Sequence, residues 1–169
     1  MRSLIVIIGL LLCGCELGAM AATHPSGDSE YWTPSGDSFA SDEAQSCAPV
    51  QNLRCGDRVY GDTSNFNYGA TDVFDSYPVA VGNYAGSEIV YSFTAEDTAT
   101  TELRFIDPEP HFLNLDIFIL SAEENSCTTD SAIARGFNDL SFDAIAGRTY
   151  YVVIDGSEDN EGAFELELL

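Results

Sequence analysis

Short runs of alternating hydrophobic and polar residues fill the C-terminal half of the chain, with glycine and aspartate between them. In "SEIVYSFTA" (87–95), Ile89, Tyr91 and Phe93 fall on one face, and Val90 and Ser92 fall on the other. A period of two is typical of β-strands. The same pattern recurs in "TTELRFID", "LSFDAIAG" and "GAFELELL", whereas "NLDIFILS" and "TYYVVID" are mostly apolar.

These runs predict about eight strands and no helix. Turn residues separate them at intervals of roughly 8–15 residues, which is typical of two-sheet sandwiches. We therefore expect an all-β fold, a two-sheet antiparallel β-sandwich of the jelly-roll type. It would occupy residues 47–169, a length sufficient for one hydrophobic core.

The N-terminus has the pattern of an export signal. Arg2 precedes the apolar run "LIVIIGLLL", which is shorter than the roughly 20 residues that a membrane-spanning helix needs. Leu12 lies three positions before Cys15 and Gly14 directly before it, which resembles a bacterial lipobox. We expect residues 1–14 to be a lipoprotein signal peptide and Cys15 to be the lipid-attachment site.

A lipid on Cys15 would hold the protein to a membrane of the cell envelope, because two or more acyl chains anchor stably. The inner and the outer membrane both stay open. The alternative is ordinary secretion after cleavage at "AMA" (19–21). Residues 15–46 are rich in serine, glycine, aspartate and proline and repeat "PSGDS", so we expect a flexible tether, with Trp32 as an exposed residue or an anchor.

The net charge is −22, with 28 acidic residues against six basic ones. Such a surface repels phosphates, so nucleic acid is excluded as a partner. Because the acidic residues are scattered, we interpret them as groups that keep the protein solvated in a salty habitat. The alternative is that they bind divalent ions.

Three cysteines fall in the predicted domain, at a spacing that does not fit a zinc site. An exported protein can form disulfides. Cys47 and Cys55 are close enough in sequence for a local loop, and we expect this pair. Pairing of Cys127 with either of them is the alternative.

Four segments in the same order resemble the bacterial pre-peptidase C-terminal domain, although Asn114 stands where that family usually has an aspartate. The matching residues are Tyr91, Phe93, Asp116, Gly147, Tyr150, Tyr151, Val153, Gly162, Phe164 and Leu166. The resemblance implies a non-catalytic β-sandwich, which in other proteins is appended to secreted proteases. There it is removed or helps to bind the substrate or the cell surface. In this chain it implies a free-standing sandwich on a lipid anchor.

Groups for catalysis are sparse. The two histidines, His24 and His111, lie in the tether and in a proline-broken loop, and there is no Gly-x-Ser-x-Gly elbow. We expect no enzymatic activity and no cofactor. Asp116 interrupts an apolar strand, so we expect it to face solvent or to meet an arginine, namely Arg104, Arg135 or Arg148.

Asp155 precedes a glycine at the end of "TYYVVI", and an Asp-Gly step is typical of a turn. We therefore expect Asp155 to start a turn. The alternative is a calcium ligand, because Asp155, Asp159 and Glu161 put three oxygen donors into one loop.

The long segment 61–87 is rich in aromatic residues. Long loops often carry function. Exposed planar rings also bind sugars, and the candidate ligand contacts are Tyr68, Phe74, Tyr77 and Tyr84, with Tyr60 and Phe66 nearby. We therefore expect an interaction or adhesion module that contacts a protein or polysaccharide of the cell surface. The alternative is a carbohydrate-binding module, stabilised by calcium, that assists a secreted hydrolase.

The lipid anchor is directly testable. Replacing Cys15 by alanine should abolish labelling with a palmitate analogue and release the protein from membranes, because the thiol that accepts the lipid is gone. Metabolic labelling and membrane fractionation measure both effects. Continued labelling of the Cys15→Ala variant would contradict the lipoprotein prediction.

Overall fold

A computed structural model describes residues 48–106, 114–122 and 127–169. The helical turns in these ranges are three-residue 3₁₀ turns at Phe66–Tyr68, Thr129–Ser131 and Ser157–Asp159. The strands are β1 (Asn52–Leu53), β2 (Arg58–Asp62), β3 (Ile89–Thr94), β4 (Ala99–Phe105), β5 (Leu115–Ser121), β6 (Ala132–Gly136), β7 (Asp139–Ala144), β8 (Thr149–Gly156) and β9 (Ala163–Leu168). The predicted all-β fold is confirmed.

The strands form two sheets, one in the order β1-β3-β8-β5-β6 and the other in the order β2-β9-β4-β7. Consecutive strands lie in opposite sheets everywhere in the described chain except between β5 and β6. The chain therefore crosses repeatedly between the layers, and sheet neighbours such as β3 and β8 are far apart in sequence. The result is the predicted two-sheet sandwich.

One strand departs from the expected antiparallel pairing. Asn52 and Leu53 of β1 run parallel to β3, opposite Ser92 and Phe93. Because β1 leads into β2 of the other sheet rather than through a hairpin into its neighbour, its direction is not set by a tight turn. The remaining strand pairs of the described chain are antiparallel.

The main core lies between the sheets and contains the faces that alternation predicts. Its buried members include Ile89, Tyr91, Phe93, Leu103, Leu115, Ile117, Ile119, Leu140, Phe142, Phe164, Leu166 and Leu168. Each comes from every second position of its strand, so the hydrophobic alternation places both sheets face to face.

A second, smaller core covers the outer face of the five-stranded sheet. Phe118 of β5 is fully buried there. The Tyr77 ring stacks on the Phe118 ring at a centroid distance of 3.7 Å, and Tyr84 meets Phe118 edge-on at 5.1 Å. Because the segment between β2 and β3 folds over this face, β5 and β8 are buried on both sides. This explains why their sequences are mostly apolar instead of alternating.

The outer face of the four-stranded sheet is polar. Glu167 of β9 accepts hydrogen bonds from Arg58 Nε at 3.1 Å and from Arg104 Nη2 at 2.7 Å. These bonds, from Arg104 first and then from Arg58, lower the pKa of Glu167. Two of the few basic side chains thus bridge three strands of an otherwise acidic face.

Several predictions concern residues outside the described ranges: the signal peptide (1–14), the tether with Cys15 and Trp32, Cys47, and the two histidines. They stay predictions. Cys55 and Cys127 are both disulfide-bonded, and the Cys47–Cys55 pairing stays a prediction because Cys47 is not described. Within the described residues, no helix has the length and apolarity needed to cross a membrane.

Candidate functional site

Two buried aspartates face each other on the outer side of the five-stranded sheet. Asp116 of β5 and Asp155 of β8 are directly paired in the strand register, and both are buried. The prediction that Asp155 starts a turn is wrong, because β8 continues through Gly156 and the 3₁₀ turn begins at Ser157. Pairing with β5 continues the strand through the Asp-Gly step, to its end at Gly156.

Each aspartate is held by a tyrosine of the covering segment. The Tyr77 hydroxyl donates to Asp155 Oδ2 at 2.7 Å, and the Tyr84 hydroxyl donates to Asp116 Oδ2 at 2.6 Å. The backbone N–H of Gly156 donates to Asp155 Oδ1 at 2.7 Å. The rings that shield the sheet therefore also supply the hydrogen bonds that buried carboxyl groups require.

An arginine completes the environment of Asp116. Arg135 of β6 donates to Asp116 Oδ2 from Nη2 at 2.8 Å and from Nε at 3.2 Å. The hydrogen bond to Asp116 raises the pKa of Arg135. Of the three arginines proposed from the sequence, Arg135 is therefore the partner, while Arg104 pairs with Glu167. Asp116 Oδ1 is buried and has no hydrogen-bond partner among the described residues.

A third buried carboxyl group, Glu88, joins the two ends of the segment that covers the sheet. It accepts hydrogen bonds from the Thr71 hydroxyl and from the backbone N–H groups of Val73 at 3.2 Å and Phe74 at 3.3 Å. The backbones of Thr71 and Glu88 also form an antiparallel bridge. We call residues 71–88 the covering loop.

Burial dominates the protonation of this network. It raises the pKa of Asp155 to about 8, and the nearby Glu88 and Asp116 add to the shift. It raises the pKa of Glu88 too, against the opposing effect of the three hydrogen bonds that Glu88 accepts. Burial likewise raises the pKa values of Tyr77 and Tyr84. Asp155 is therefore largely a neutral carboxylic acid at neutral pH.

The candidate calcium ligands do not converge. Asp155 is engaged with Tyr77, Glu161 Oε1 accepts from the Ser87 backbone N–H at 2.8 Å, and Asp159 is exposed on its 3₁₀ turn. The described part of the chain contains no group of three or more histidine, cysteine, aspartate or glutamate side chains that could hold a metal ion.

Three of the four candidate ligand-contact rings are buried. Phe74, Tyr77 and Tyr84 are at most 5% exposed, so the expectation that they offer planar surfaces to a ligand is wrong. The covering loop turns these rings inward because the outer face of β5 and β8 needs a hydrophobic cover. The sequence did contain a signal for this cover: β5 and β8 are mostly apolar and leave no polar face that could meet solvent.

The fourth ring, Tyr68, is exposed and lies in a groove. Tyr68 and Tyr60 are 43% and 58% exposed, and their rings meet edge to face with centroids 5.6 Å apart. Phe66, 73% exposed, lies on the same 3₁₀ turn as Tyr68. The groove is lined by Val50, Gln51, Tyr60, Asn67, Tyr68, Gly69 and Tyr91. We call it the tyrosine groove.

Local sequence shapes the wall of this groove. Asn65 caps the 3₁₀ turn, with its side-chain oxygen accepting from the Asn67 N–H at 3.0 Å. Gly69 ends the turn at φ 82°, and a Cβ there would come within 2.3 Å of Val50 Cγ1. Glycine thus permits both the left-handed backbone and the close approach of Val50.

The polar groups of the groove are unengaged. Tyr91 is only 3% exposed, yet no described residue hydrogen-bonds its hydroxyl. Burial raises its pKa to about 12, so the hydroxyl stays neutral. The side-chain amides of Gln51 and Asn67 also make no hydrogen bond within the described residues. None of the seven lining residues carries a charged side chain at neutral pH.

No family model matches the sequence, and no curated protein matches it. Two solved structures are similar. The pre-peptidase C-terminal domain of a collagenase from Bacillus anthracis has a TM-score of 0.45 and 12% identity, covering 70% of this chain and 93% of that chain. PliG from Aeromonas hydrophila, a periplasmic inhibitor of g-type lysozyme, has a TM-score of 0.41 and 12% identity, covering 70% and 94%.

One of the two similar structures is thus a domain of the family that the sequence resembles. Membership of this chain in that family stays a prediction. Likeness at this level of identity says nothing about what the chain binds.

The buried acid predicts a specific pH response. Because folding raises the pKa of Asp155 from 3.8 to about 8, its contribution to stability is fully present below about pH 4 and is lost as the pH rises through 8. Asparagine mimics the protonated acid: its amide can accept from the Gly156 N–H and donate to the Tyr77 hydroxyl oxygen. Asp155→Asn should therefore gain stability relative to the wild type as the pH rises.

The gain should reach several kcal/mol between about pH 4 and pH 8, since one pKa unit corresponds to about 1.4 kcal/mol. Chemical denaturation across this pH range measures it. Asp159→Asn, at an exposed position with φ 60° that asparagine tolerates, is the matched control. If the difference in unfolding free energy between Asp155→Asn and the wild type is constant with pH, Asp155 does not have a raised pKa in the folded protein.

Proposed function

We propose that this chain is a non-catalytic binding module, displayed on the bacterial cell envelope by a lipid on Cys15, and that the tyrosine groove is its contact surface. The observation that carries the proposal is the convergence of exposed rings and unengaged polar groups in one groove. Tyr60 and Tyr68 supply the rings, and Gln51, Asn67 and Tyr91 supply the polar groups.

The positions of the carboxyl groups support contact rather than catalysis. A general acid or base must come within hydrogen-bond reach of its substrate. Asp116 and Asp155 are instead buried beneath the covering loop and Glu88 is buried at the end of that loop, and each already has hydrogen-bond partners. The tyrosine groove is lined by no carboxylate and no histidine.

The rings of the groove have the character of binding hot spots. Tyrosine combines a large apolar face with a polar tip and loses little conformational entropy on binding, so it is enriched where proteins contact partners. Tyr60 projects from β2 and Tyr68 from the capped 3₁₀ turn, both anchored to the sandwich. The two rings therefore present a preformed surface, which lowers the entropic cost of binding.

The position of the groove suits presentation from a tether. Val50 and Gln51 line it only a few residues after the end of the predicted tether. A flexible tether of about 30 residues has a root-mean-square span of roughly 30 Å. A tether of this length would let the groove reach partners at the surface of the envelope.

Removal of the exposed rings tests the proposal. The full mature chain should bind isolated cell envelopes, and the double variant Tyr60→Ala/Tyr68→Ala should bind at least tenfold more weakly, as expected for hot-spot tyrosines (about 1.4 kcal/mol or more). Thermal melting should show that both proteins are folded. Sedimentation of fluorescently labelled protein with the envelopes measures the binding.

The matched control replaces exposed hydrophobic residues at the opposite edge of the sandwich. Ile133 and Ile145 are half-exposed there, and their double alanine variant should bind like the wild type. Undiminished binding of the tyrosine variant would contradict the proposal. So would hydrolysis of a polysaccharide or peptide by the wild type that a single aspartate or glutamate substitution abolishes.

A further inference from the structure

We infer that the ligand of the tyrosine groove is an uncharged saccharide. The inference rests on the proposed function and names the chemistry of the partner. It follows from three features of the groove: the absence of charge, the kind of hydrogen-bonding groups that line it, and the placement of its rings.

The groove is uncharged on a strongly acidic protein. The chain carries a net charge of −22, yet the seven lining residues are apolar, amide, phenol or glycine. An acidic polymer would be repelled by the field of the whole protein. A basic partner would be attracted to the surface but would find no carboxylate in the groove to pair with. A neutral ligand meets neither obstacle.

The polar groups of the groove match hydroxyl groups. The Gln51 and Asn67 amides and the Tyr91 phenol each offer both a donor and an acceptor. A sugar hydroxyl has the same dual character, so each of these groups can be fully satisfied by a saccharide. A proline-rich peptide, which binds aromatic grooves in several domain families, presents mainly carbonyl acceptors. It would leave the amide oxygens of Gln51 and Asn67 without donors.

The rings provide the apolar part of the recognition. The Tyr60 and Tyr68 rings are inclined by 67° to each other, so they form a corner with two differently oriented surfaces. The C–H face of a sugar ring can pack against one surface through dispersion contacts while its hydroxyl edge remains free to hydrogen-bond. The groove thus pairs a stacking surface with adjacent amides.

Tyr91 is the residue we assign to specificity. Its hydroxyl lies at the inner side of the groove, between the sheets, because Gly61 leaves room for it: a Cβ on Gly61 would come within 2.9 Å of this oxygen. The Tyr91 side chain is buried, and its hydroxyl reaches the groove without a hydrogen-bond partner among the described residues, so it favours ligands that hydrogen-bond it over those that do not. A sugar hydroxyl that reaches this position should therefore be selected.

A glycan array that holds neutral and acidic glycans tests the inference with the full mature chain. We expect binding to neutral glycans, little changed by added salt, and no binding to acidic ones. For the neutral glycan bound most tightly, Tyr91→Phe should weaken binding about fivefold to tenfold, as expected for one hydrogen bond. Tyr60→Ala should weaken it at least tenfold. Melting temperatures identify any variant that fails to fold.

Other outcomes would overturn the inference. The inference is wrong if the array shows no binding to neutral glycans or shows binding to acidic glycans only. Binding that Tyr91→Phe leaves unchanged removes Tyr91 from the assignment and contradicts the recognition described here. If Tyr60→Ala shifts the fluorescence of Trp32 in the ligand-free chain, the groove is occupied by the tether of this chain itself, which also overturns the inference.

The two levels of the proposal fail in different ways. If envelopes are bound through Tyr60 and Tyr68 but the array is blank, the binding module stands and its partner is not a neutral saccharide. If envelopes are not bound at all, the proposed function itself fails.

Discussion

Two aspartates that face each other inside a protein are costly, and the fold of this chain is arranged around meeting that cost. Asp116 and Asp155 lie on neighbouring strands of the five-stranded sheet, where either charge would be unfavourable without partners. The covering loop and β6 supply these partners. Tyr84 of the loop and Arg135 of β6 hydrogen-bond Asp116, and Tyr77 of the loop hydrogen-bonds Asp155. The same tyrosine rings pack on the sheet, so hydrogen bonding and hydrophobic burial fix the loop together.

The covering loop gives different roles to two groups of aromatic residues that cannot be told apart in the sequence. The rings of the covering loop are structural, whereas Tyr60 and Tyr68 remain at the surface beside unengaged amides. Glu88 links the two regions, because it ties down Thr71 just after the turn that carries Tyr68. The covering loop therefore stabilises one wall of the groove without contributing a ring to it.

Much of the sandwich was predictable from the sequence because alternation reports directly which side chains face the core. The predicted face of β3, with Ile89, Tyr91 and Phe93 toward the core, is confirmed. The role of Asp155 was not predictable in this way, since an Asp-Gly step has the same local signature in a turn and at the end of a paired strand. Only the register with β5 distinguishes them. The covering loop lacks periodicity, so nothing local showed that Phe74, Tyr77 and Tyr84 turn inward.

Amide hydrogen exchange of the covering loop tests the central claim most directly. If residues 71–88 are a second hydrophobic layer held by buried carboxyl groups, their hydrogen-bonded amides should be protected at about pH 6 nearly as well as those of β5 and β8. Above about pH 8, where Asp155 ionises, protection of the loop should fall while the strands remain protected. Exchange of the loop at the rate of an unstructured chain at about pH 6 would contradict the account.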